Sequence, residues 1–477
     1  METRDIYLNL SPLDHRYYSS NKELFKKLSA FLSEKAAVRY QAEVELALLK
    51  THLHYLYGPD KAADFCIETY LQKIDPEEIE TEEQKTQHNI RALVNVLKKK
   101  VPEKYHHLLH LGATSVDILD TSYAMRIRNA VRTVILPLLI ELEEGLIRLS
   151  SGHSGTPQIG RTHGQHAVPI TLGFAFAEYV SRLGKSIAEI DRLSADLRGK
   201  ISGAVGAYNA LSLIYPDPER FERDCLAELG LAPSEHSTQL VEPEHLLRLL
   251  LEINTAFGIL ANCADDLRNL QRSEIAEVRE SFSASQVGSS TMPQKRNPWN
   301  SEHVKSLWKA FSPRVMTFFM DQISEHQRDL TNSASSRFIC EYLAGFSAAV
   351  NRMKKVITGI RADTDQLQKN LAYSGDYVLA EPLYILLALG GHPDAHEAVR
   401  KCTLRGEEEG RRLIEVLKDD ADLWRLLETT MKERINADPE CFFSHPESYS
   451  GKAQDVTRRI ITAYSASLNN LKKELHR

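Results

Sequence analysis

Residues 244–280 read EHLLRLLLEINTAFGILANCADDLRNLQRSEIAEVRE, a stretch with no proline and a single glycine, Gly258. An uninterrupted helix of that length is a rod of about 55 Å at 1.5 Å per residue, longer than one globular domain usually needs. Its apolar residues Leu246, Leu247, Leu249, Leu250, Leu251, Ile253, Phe257, Ile259 and Leu260 cover more than a narrow stripe. Such a helix is expected to be buried on several sides.

The flanking sequence has the same texture. Thr121 to Ser151 places Met125, Ile127, Val131, Val134, Ile135, Leu138, Leu139, Leu142, Leu146 and Leu149 at helical spacing, with an expected kink at Pro137. Thr171 to Ile201 repeats the pattern, and Ser301 to Asp321, kinked at Pro313, and Phe338 to Ile360 add further long helices. Lys22 to Leu56 reads as a helix pair, and Asp75-Pro76-Glu77-Glu78 as a helix start with an acidic first turn. Turns at Ser374-Gly375-Asp376, Gly390-Gly391-His392-Pro393 and His445-Pro446 separate shorter helices near the end. Alternating Val, Ile and Thr runs are almost absent, so the expected fold is all-α, with a central bundle of long helices continued across an oligomer interface. The expected divisions are an N-terminal helical domain at 1–113, the bundle at 114–365 and a C-terminal helical domain at 366–477.

Composition narrows the function. The 477 residues hold 59 Lys and Arg against 65 Asp and Glu, a net charge of −6, which gives no electrostatic footprint for nucleic acid. No window holds about 18 consecutive apolar residues, and Met-Glu-Thr-Arg-Asp lacks the layout of a signal peptide, so a soluble, cytoplasmic chain is expected. The cysteines Cys66, Cys225, Cys263, Cys340, Cys402 and Cys441 lie far apart with no CxxC pair, which argues for free thiols rather than a disulfide framework or a structural zinc site. A small anionic ligand remains open, because a local pocket need not follow net charge.

The least helical stretch is QVGSSTMPQKRNP at 286–298. It is too long for a bundle turn, and long loops in compact proteins are often binding loops. Gly288 supplies backbone freedom, Ser289 and Ser290 hydroxyls, Lys295 and Arg296 cations, and Asn297-Pro298 a cap with Pro at the first helical position. Hydroxyls beside cations suit an anion with an acidic C–H; a flexible Ser/Pro connector is the alternative.

Residues 288–298 resemble the GSSxMPxKxNP signature of the fumarase/aspartase superfamily. GATSVDILDT at 112–121 and GRTHGQHAVP at 160–169 resemble its other two blocks. Within it the chain is most similar to the adenylosuccinate lyase family, through Ser11 to Tyr17, Gln87 to Ala92, Gly203 to Asn209, Ser237-Thr238-Gln239, Gln327 to Arg337 and Val378 to Pro382. The resemblance implies a three-domain all-α fold and a carbon–nitrogen lyase that eliminates fumarate from adenylosuccinate, and from the carboxamide intermediate SAICAR, in purine nucleotide synthesis. It further implies a homotetramer with a shared helical core, active sites built from three subunits, and no cofactor.

By the same resemblance Ser289 is the proton acceptor, His163 the general acid, and Lys295 the cation that steadies the serine alkoxide and holds substrate carboxylate. Asn297 and Ser290 join Lys295 on the substrate. Thr114, Ser115, Gln239, Ser333 and Arg337 contact the succinyl arm, and Arg16, Tyr17, His88 and Arg328 the nucleotide end. Three positions depart from the family pattern: Asn89 replaces the usual aspartate after His88, His15 a glycine, and Asn332 a common aspartate. Without a carboxylate at 89, His88 lacks an adjacent acidic partner.

No metal is expected. His106, His107 and His110, or His163 and His166, lack the adjacent Glu of an HExxH site. No GxSxG elbow supports a hydrolase. The rival readings are a sister lyase acting on another succinyl-amine, and a catalytically silent assembly protein of the same fold.

Overall fold

In the computed structural model, which describes residues 5–282, 291–292, 294–329 and 331–475, the expected N-terminal helix pair is α1 (Lys22–Leu32) and α2 (Glu34–Tyr57). Ser33 separates them, its Oγ accepting the Ala36 N–H at 3.2 Å as a helix cap. Asp75 caps the helix that begins at Pro76, as its sequence implies. Helix α3 (Asn89–Lys100) packs its apolar face inward through Ile90, Leu93, Val94 and Leu97.

Helix α4 (Ser115–Ala130) runs through a π-helical turn, Val131–Ile135, into α5 (Leu136–Gly152). The disruption expected at Pro137 takes that form: proline lacks an N–H and its ring crowds the carbonyl four residues back, at Thr133 inside the π-turn. Strands β1 (Pro157–Thr162) and β2 (Gln165–Thr171) form an antiparallel hairpin ahead of α6 (Leu172–Ala195). The hairpin corrects the expectation of an essentially strand-free chain, and α6 stops six residues short of Ile201.

Helix α7 (Glu244–Leu270) also falls short of the expected rod. Gln271 to Ile275 turn, Ala276 takes φ +51°, Glu277 is drawn inside, and Val278–Arg279 pairs with Arg361–Ala362. Helix α8 (Trp299–Phe311) is followed by a 3₁₀ turn containing Pro313 and a short helix, Val315–Met320, so the second kink lies where expected. Pro298 is the N-cap of α8, so the helix starts one residue later than the sequence suggested. Helices α9 (Ile339–Gly359) and α10 (Ala453–Leu475) complete the frame.

The rods fold back on one another within one chain. Helix α5 packs on α6, α6 on α7, α7 on α8, α8 on α9 and α9 on α5, closing a five-helix ring with α10 laid across α5 and α6. Leu249, Leu250, Ile253, Phe257 and Leu260 of α7 are at most 2% exposed, and Phe257 meets Phe346 of α9 edge to face. Each such side chain contributes about 1.5–3 kcal/mol on burial. By length and composition α7 is apolar enough to cross a bilayer; its place inside the ring accounts for that composition. Leu251, by contrast, is 37% exposed. A second core joins α2 and α3 to the 201–231 segment, and a third lies among the C-terminal helices.

Candidate active site

Thr114 and Ser115 sit at the start of α4, where unpaired helix N–H groups favour an anion. The Thr114 N–H donates to Asp117 Oδ2 at 2.7 Å. Asp117 is fully buried and is neutralised by Lys200, itself without exposed surface. Lys200 Nζ also donates to the Gly203 carbonyl at 3.0 Å, and the Ser202 and Gly203 N–H groups donate to Asp117. The pair therefore ties the 112–121 block to the 203–209 block.

Gln239 lies just before α7, and its N–H donates to the Gln327 carbonyl at 3.3 Å, next to Arg328. Arg328 adopts φ +88° and spends Nη1 on Ser324 Oγ (2.7 Å) and the Gln322 carbonyl (3.1 Å). Ser333 and Arg337 are exposed, and their segment is held to α4 by the Tyr123 hydroxyl, which donates to the Ser336 carbonyl at 2.9 Å. His88 caps α3, whose Ile90 and Leu93 share the second core with Ile118 of α4. His88 Nδ1 accepts the Arg91 N–H at 3.3 Å as the α3 cap, so the neutral ring uses Nδ1 structurally and has Nε2 for other partners. Asn89 Oδ1 accepts the Ile90 N–H instead of meeting the imidazole.

His163 occupies a different place. It and Gly164 form the two-residue turn between β1 and β2, with φ +54° and +76°. Positive φ at both positions matches the twist of a tight hairpin and puts the exposed His163 at its tip. The base is locked by Glu277, which has no exposed surface. Arg161 Nη2 donates to its Oε1 at 2.6 Å, Gln158 Nε2 to Oε2 at 2.7 Å and Asn370 Nδ2 to Oε1 at 2.8 Å. His166 faces away, its Nδ1 2.7 Å from Ser374 Oγ, and burial holds its pKa below the usual range.

Ser289 and Ser290 lie outside the described residues. Lys295 is exposed and its N–H donates to the Met292 carbonyl at 3.0 Å; Asn297 is half-buried ahead of α8. Glu280 is tied to the first turn of α8, accepting from the Ser301 hydroxyl (2.6 Å) and N–H (3.0 Å) and from Asn300 Nδ2 (3.0 Å). Arg16 and Tyr17 approach the same corner: the Tyr17 hydroxyl is 2.9 Å from His303 Nε2. Burial first, then Arg352 and Arg16, lower the His303 pKa.

The candidates thus form two groups. Thr114, Ser115, Gln239, Arg328, Ser333, Arg337 and, further out, His88 surround the start of α7. His163, Lys295, Asn297, Arg16 and Tyr17 surround its far end, where Lys305 of α8 meets Asp265. The 27 residues of α7 hold the groups roughly 40 Å apart. Sequence reasoning singled out none of the residues that fix these segments: Lys200, Glu277, Glu280 and Tyr123. Among the described residues no cluster of three or more His, Cys, Asp or Glu could hold a metal ion.

Comparison with known proteins extends this picture. Residues 27–311 match the lyase family model, and residues 324–437 the adenylosuccinate lyase C-terminal model. The chain is 33% identical to an adenylosuccinate lyase of Pyrococcus horikoshii, over 94% of this chain and 97% of that one. It is 29% identical to the enzyme of the same name from Methanothermobacter thermautotrophicus, over 95% and 98%. In fold it is similar to the 3-carboxy-cis,cis-muconate lactonizing enzyme of Pseudomonas putida (TM-score 0.77, 24% identity, covering 96% of this chain and 99% of that one). A fumarate lyase from Mesorhizobium sp. BNC1 is equally close in shape (TM-score 0.77, 22% identity, 92% and 97%).

Proposed function

The chain belongs to the adenylosuccinate lyase family, and from that premise we propose how its residues divide the work of releasing fumarate. The reaction breaks the bond between the succinyl carbon and the purine amino nitrogen of adenylosuccinate, leaving AMP and fumarate. It needs a base at the carbon beside a carboxylate, an acid at the departing nitrogen and donors on both carboxylates.

Ser289 takes the proton. A serine alkoxide is a useful base only where N–H dipoles and a cation stabilise it, which assigns Lys295 to its side and makes closure of the 286–298 loop part of the step. His163 delivers a proton to the leaving nitrogen, and a reference pKa near 6.5 suits that task. Thr114 and Ser115 offer the N-terminus of α4 to a carboxylate, with Gln239, Ser290, Asn297, Ser333 and Arg337 fixing the succinyl arm. Arg16, Tyr17, His88 and Arg328 receive the nucleotide. SAICAR, with the same succinyl-amine and a phosphoribosyl end, is the second substrate.

One observation carries the assembly. A pocket needing both the Thr114 group and the His163 group cannot close within one chain whose two groups are held about 40 Å apart by a helix. That separation calls for at least a second chain, and with the family resemblance we infer a homotetramer in the cytoplasm, its helical bundles joined and each site drawn from three subunits. Exposed Met316, Phe319, Met320, Ile323 and Phe338, beside the Arg328 to Arg337 segment, supply apolar surface for such contacts. The division at residues 113 and 365 assigns the bundle to the assembly and the flanking domains to covering the sites.

Incubation of purified protein with adenylosuccinate, following fumarate and AMP, tests the reading. Equimolar release of both is expected. Turnover of another succinyl-amine with neither purine substrate consumed would transfer the activity to a sister reaction, and no fumarate at high enzyme concentration would leave only the fold.

A further inference from the structure

Three side chains along one flank of α4, at i, i+3 and i+6, each hold a different segment. Asp117 takes Lys200 and the Ser202 and Gly203 N–H groups. Asp120 Oδ2 accepts the Val241 N–H at 2.9 Å, two residues from Gln239. Tyr123 takes the Ser336 carbonyl, one residue before Arg337. The outer two are chemically settled, Asp117 by its lysine and Tyr123 as a neutral phenol.

Asp120 is different. Among the described residues it has no cation at ion-pair distance. Lys200, from the 198–203 segment, and Arg328, from the 322–329 segment, face it from further away, and Asp117 and Tyr123 face it from its own helix. Arg328 in turn has a buried Nη2 without a hydrogen-bond partner and a backbone at φ +88°, a strained conformation for a non-glycine residue. A buried guanidinium donor without a partner, in the field of a half-buried carboxylate that has a backbone N–H but no counter-ion, is an arrangement that stability alone does not favour.

We propose that Asp120 is a positioning residue: ionised, it holds the Val241 backbone and attracts Arg328, so that Gln239 and Arg328 are set against the N-terminus of α4 in a substrate-ready geometry. The inference rests on the functional reading above and adds to it a group that touches no substrate. Burial raises the Asp120 pKa from the ordinary 3.8 to about 6. A folded pKa above the unfolded one means that ionisation opposes folding: the contribution of this group to stability is fully present below about pH 4 and is lost as pH rises through about 6. Keeping the carboxylate charged at neutral pH therefore lowers stability in exchange for placement, the pattern expected of a functional group.

The test compares wild type, Asp120→Asn and Asp120→Ala. Asparagine can still accept the Val241 N–H but carries no charge, so it mimics the protonated acid. Wild-type KM for adenylosuccinate should rise about fivefold between pH 8 and pH 5, with kcat less affected. Asp120→Asn should show the raised KM already at pH 8, with a flat KM profile and a higher melting temperature than wild type. Asp120→Ala should raise KM further and reduce hydrogen-exchange protection at 236–242. An Asn variant that keeps the wild-type KM profile, or that loses affinity and stability together, overturns the proposal. If wild type releases no fumarate, the functional reading fails instead, and exchange protection decides the clamp: unchanged protection at 236–242 in Asp120→Ala refutes it.

Discussion

Arg161 donates to Glu277 at 2.6 Å, in a place where the glutamate has no exposed surface and the arginine side chain is 16% exposed. The arginine lies two residues before His163, and the glutamate just past the end of α7. The contact thus pins the hairpin to the bundle and leaves its tip, with the proposed general acid His163, exposed. Removing the carboxylate leaves a largely buried cation unpaired. Glu277→Ala is expected to lower stability by about 3–5 kcal/mol, read by urea unfolding, and to lower kcat through His163. Glu277→Gln, which can still accept hydrogen bonds, should lose less of both. Equal stability in all three proteins would show that the network does not bear on the hairpin.

His52 shapes the approach to Thr114. Its Nε2 is 2.9 Å from the Leu111 carbonyl, which can only accept, so Nε2 carries the proton and Nδ1 accepts the Tyr215 hydroxyl at 2.6 Å. Burial lowers its pKa to about 4. Because the folded value lies below the unfolded one near 6.5, the unfolded chain takes up the proton first. The contribution is fully present above about pH 6.5 and is lost as pH falls towards 4, amounting to about 3 kcal/mol. Urea unfolding at pH 7.5 and 4.5 should show that decline, and His52→Phe should reduce it while lowering stability at pH 7.5.

Gly206 allows the 203–209 block to pass against the Ser237 to Gln239 segment. Its φ is +78°, and a Cβ there would stand 1.9 Å from the Ser237 carbonyl oxygen. Backbone, not a flexible side chain, must yield. Gly206→Ala should therefore destabilise by at least about 2 kcal/mol and raise KM by moving Gln239. Unchanged melting temperature and KM would mean that the two segments separate freely.

Two substitutions test the chemistry and the assembly together. Ser289→Ala should lower kcat at least about 10²-fold while substrate still binds, and His163→Ala should behave similarly. The family resemblance draws each site from three subunits, so mixing the two inactive proteins under conditions of proven subunit exchange should restore part of the fumarate release, some sites then combining an intact loop with an intact hairpin. No recovery would count against loop and hairpin arriving from different chains.

The helices were legible wherever the determinant was local. The Ser33 break, the Asp75 cap and the disruptions at Pro137 and Pro313 follow from residues within a turn of the event. The end of α7 was not legible, because Gln271 to Glu280 contains no proline or glycine and nothing local forbids a helix. What stops it is the pull of Glu277 towards Arg161, 116 residues away. The hairpin escaped for a related reason: GRTHGQHAVP has no apolar alternation, and its register follows from two positive φ values and a buried anchor.

The site divides along the same line. Its signature blocks are contiguous and could be recognised, whereas the residues that hold them pair across the chain: Asp117 with Lys200 at a separation of 83, Asp120 with Val241 at 121, Tyr123 with Ser336 at 213, Tyr17 with His303 at 286. Spacing within a motif cannot report such partners.

The turn at His163 has a consequence for inheritance. Its backbone occupies the left-handed region, where asparagine or glycine is more comfortable than histidine. A mutation that replaces the imidazole with either residue would relieve strain rather than unfold the chain. Quality control, which removes proteins that misfold, would pass such a product. With His163 as the proposed general acid, only loss of turnover would expose the substitution, and selection at this position would act through metabolic flux rather than protein abundance.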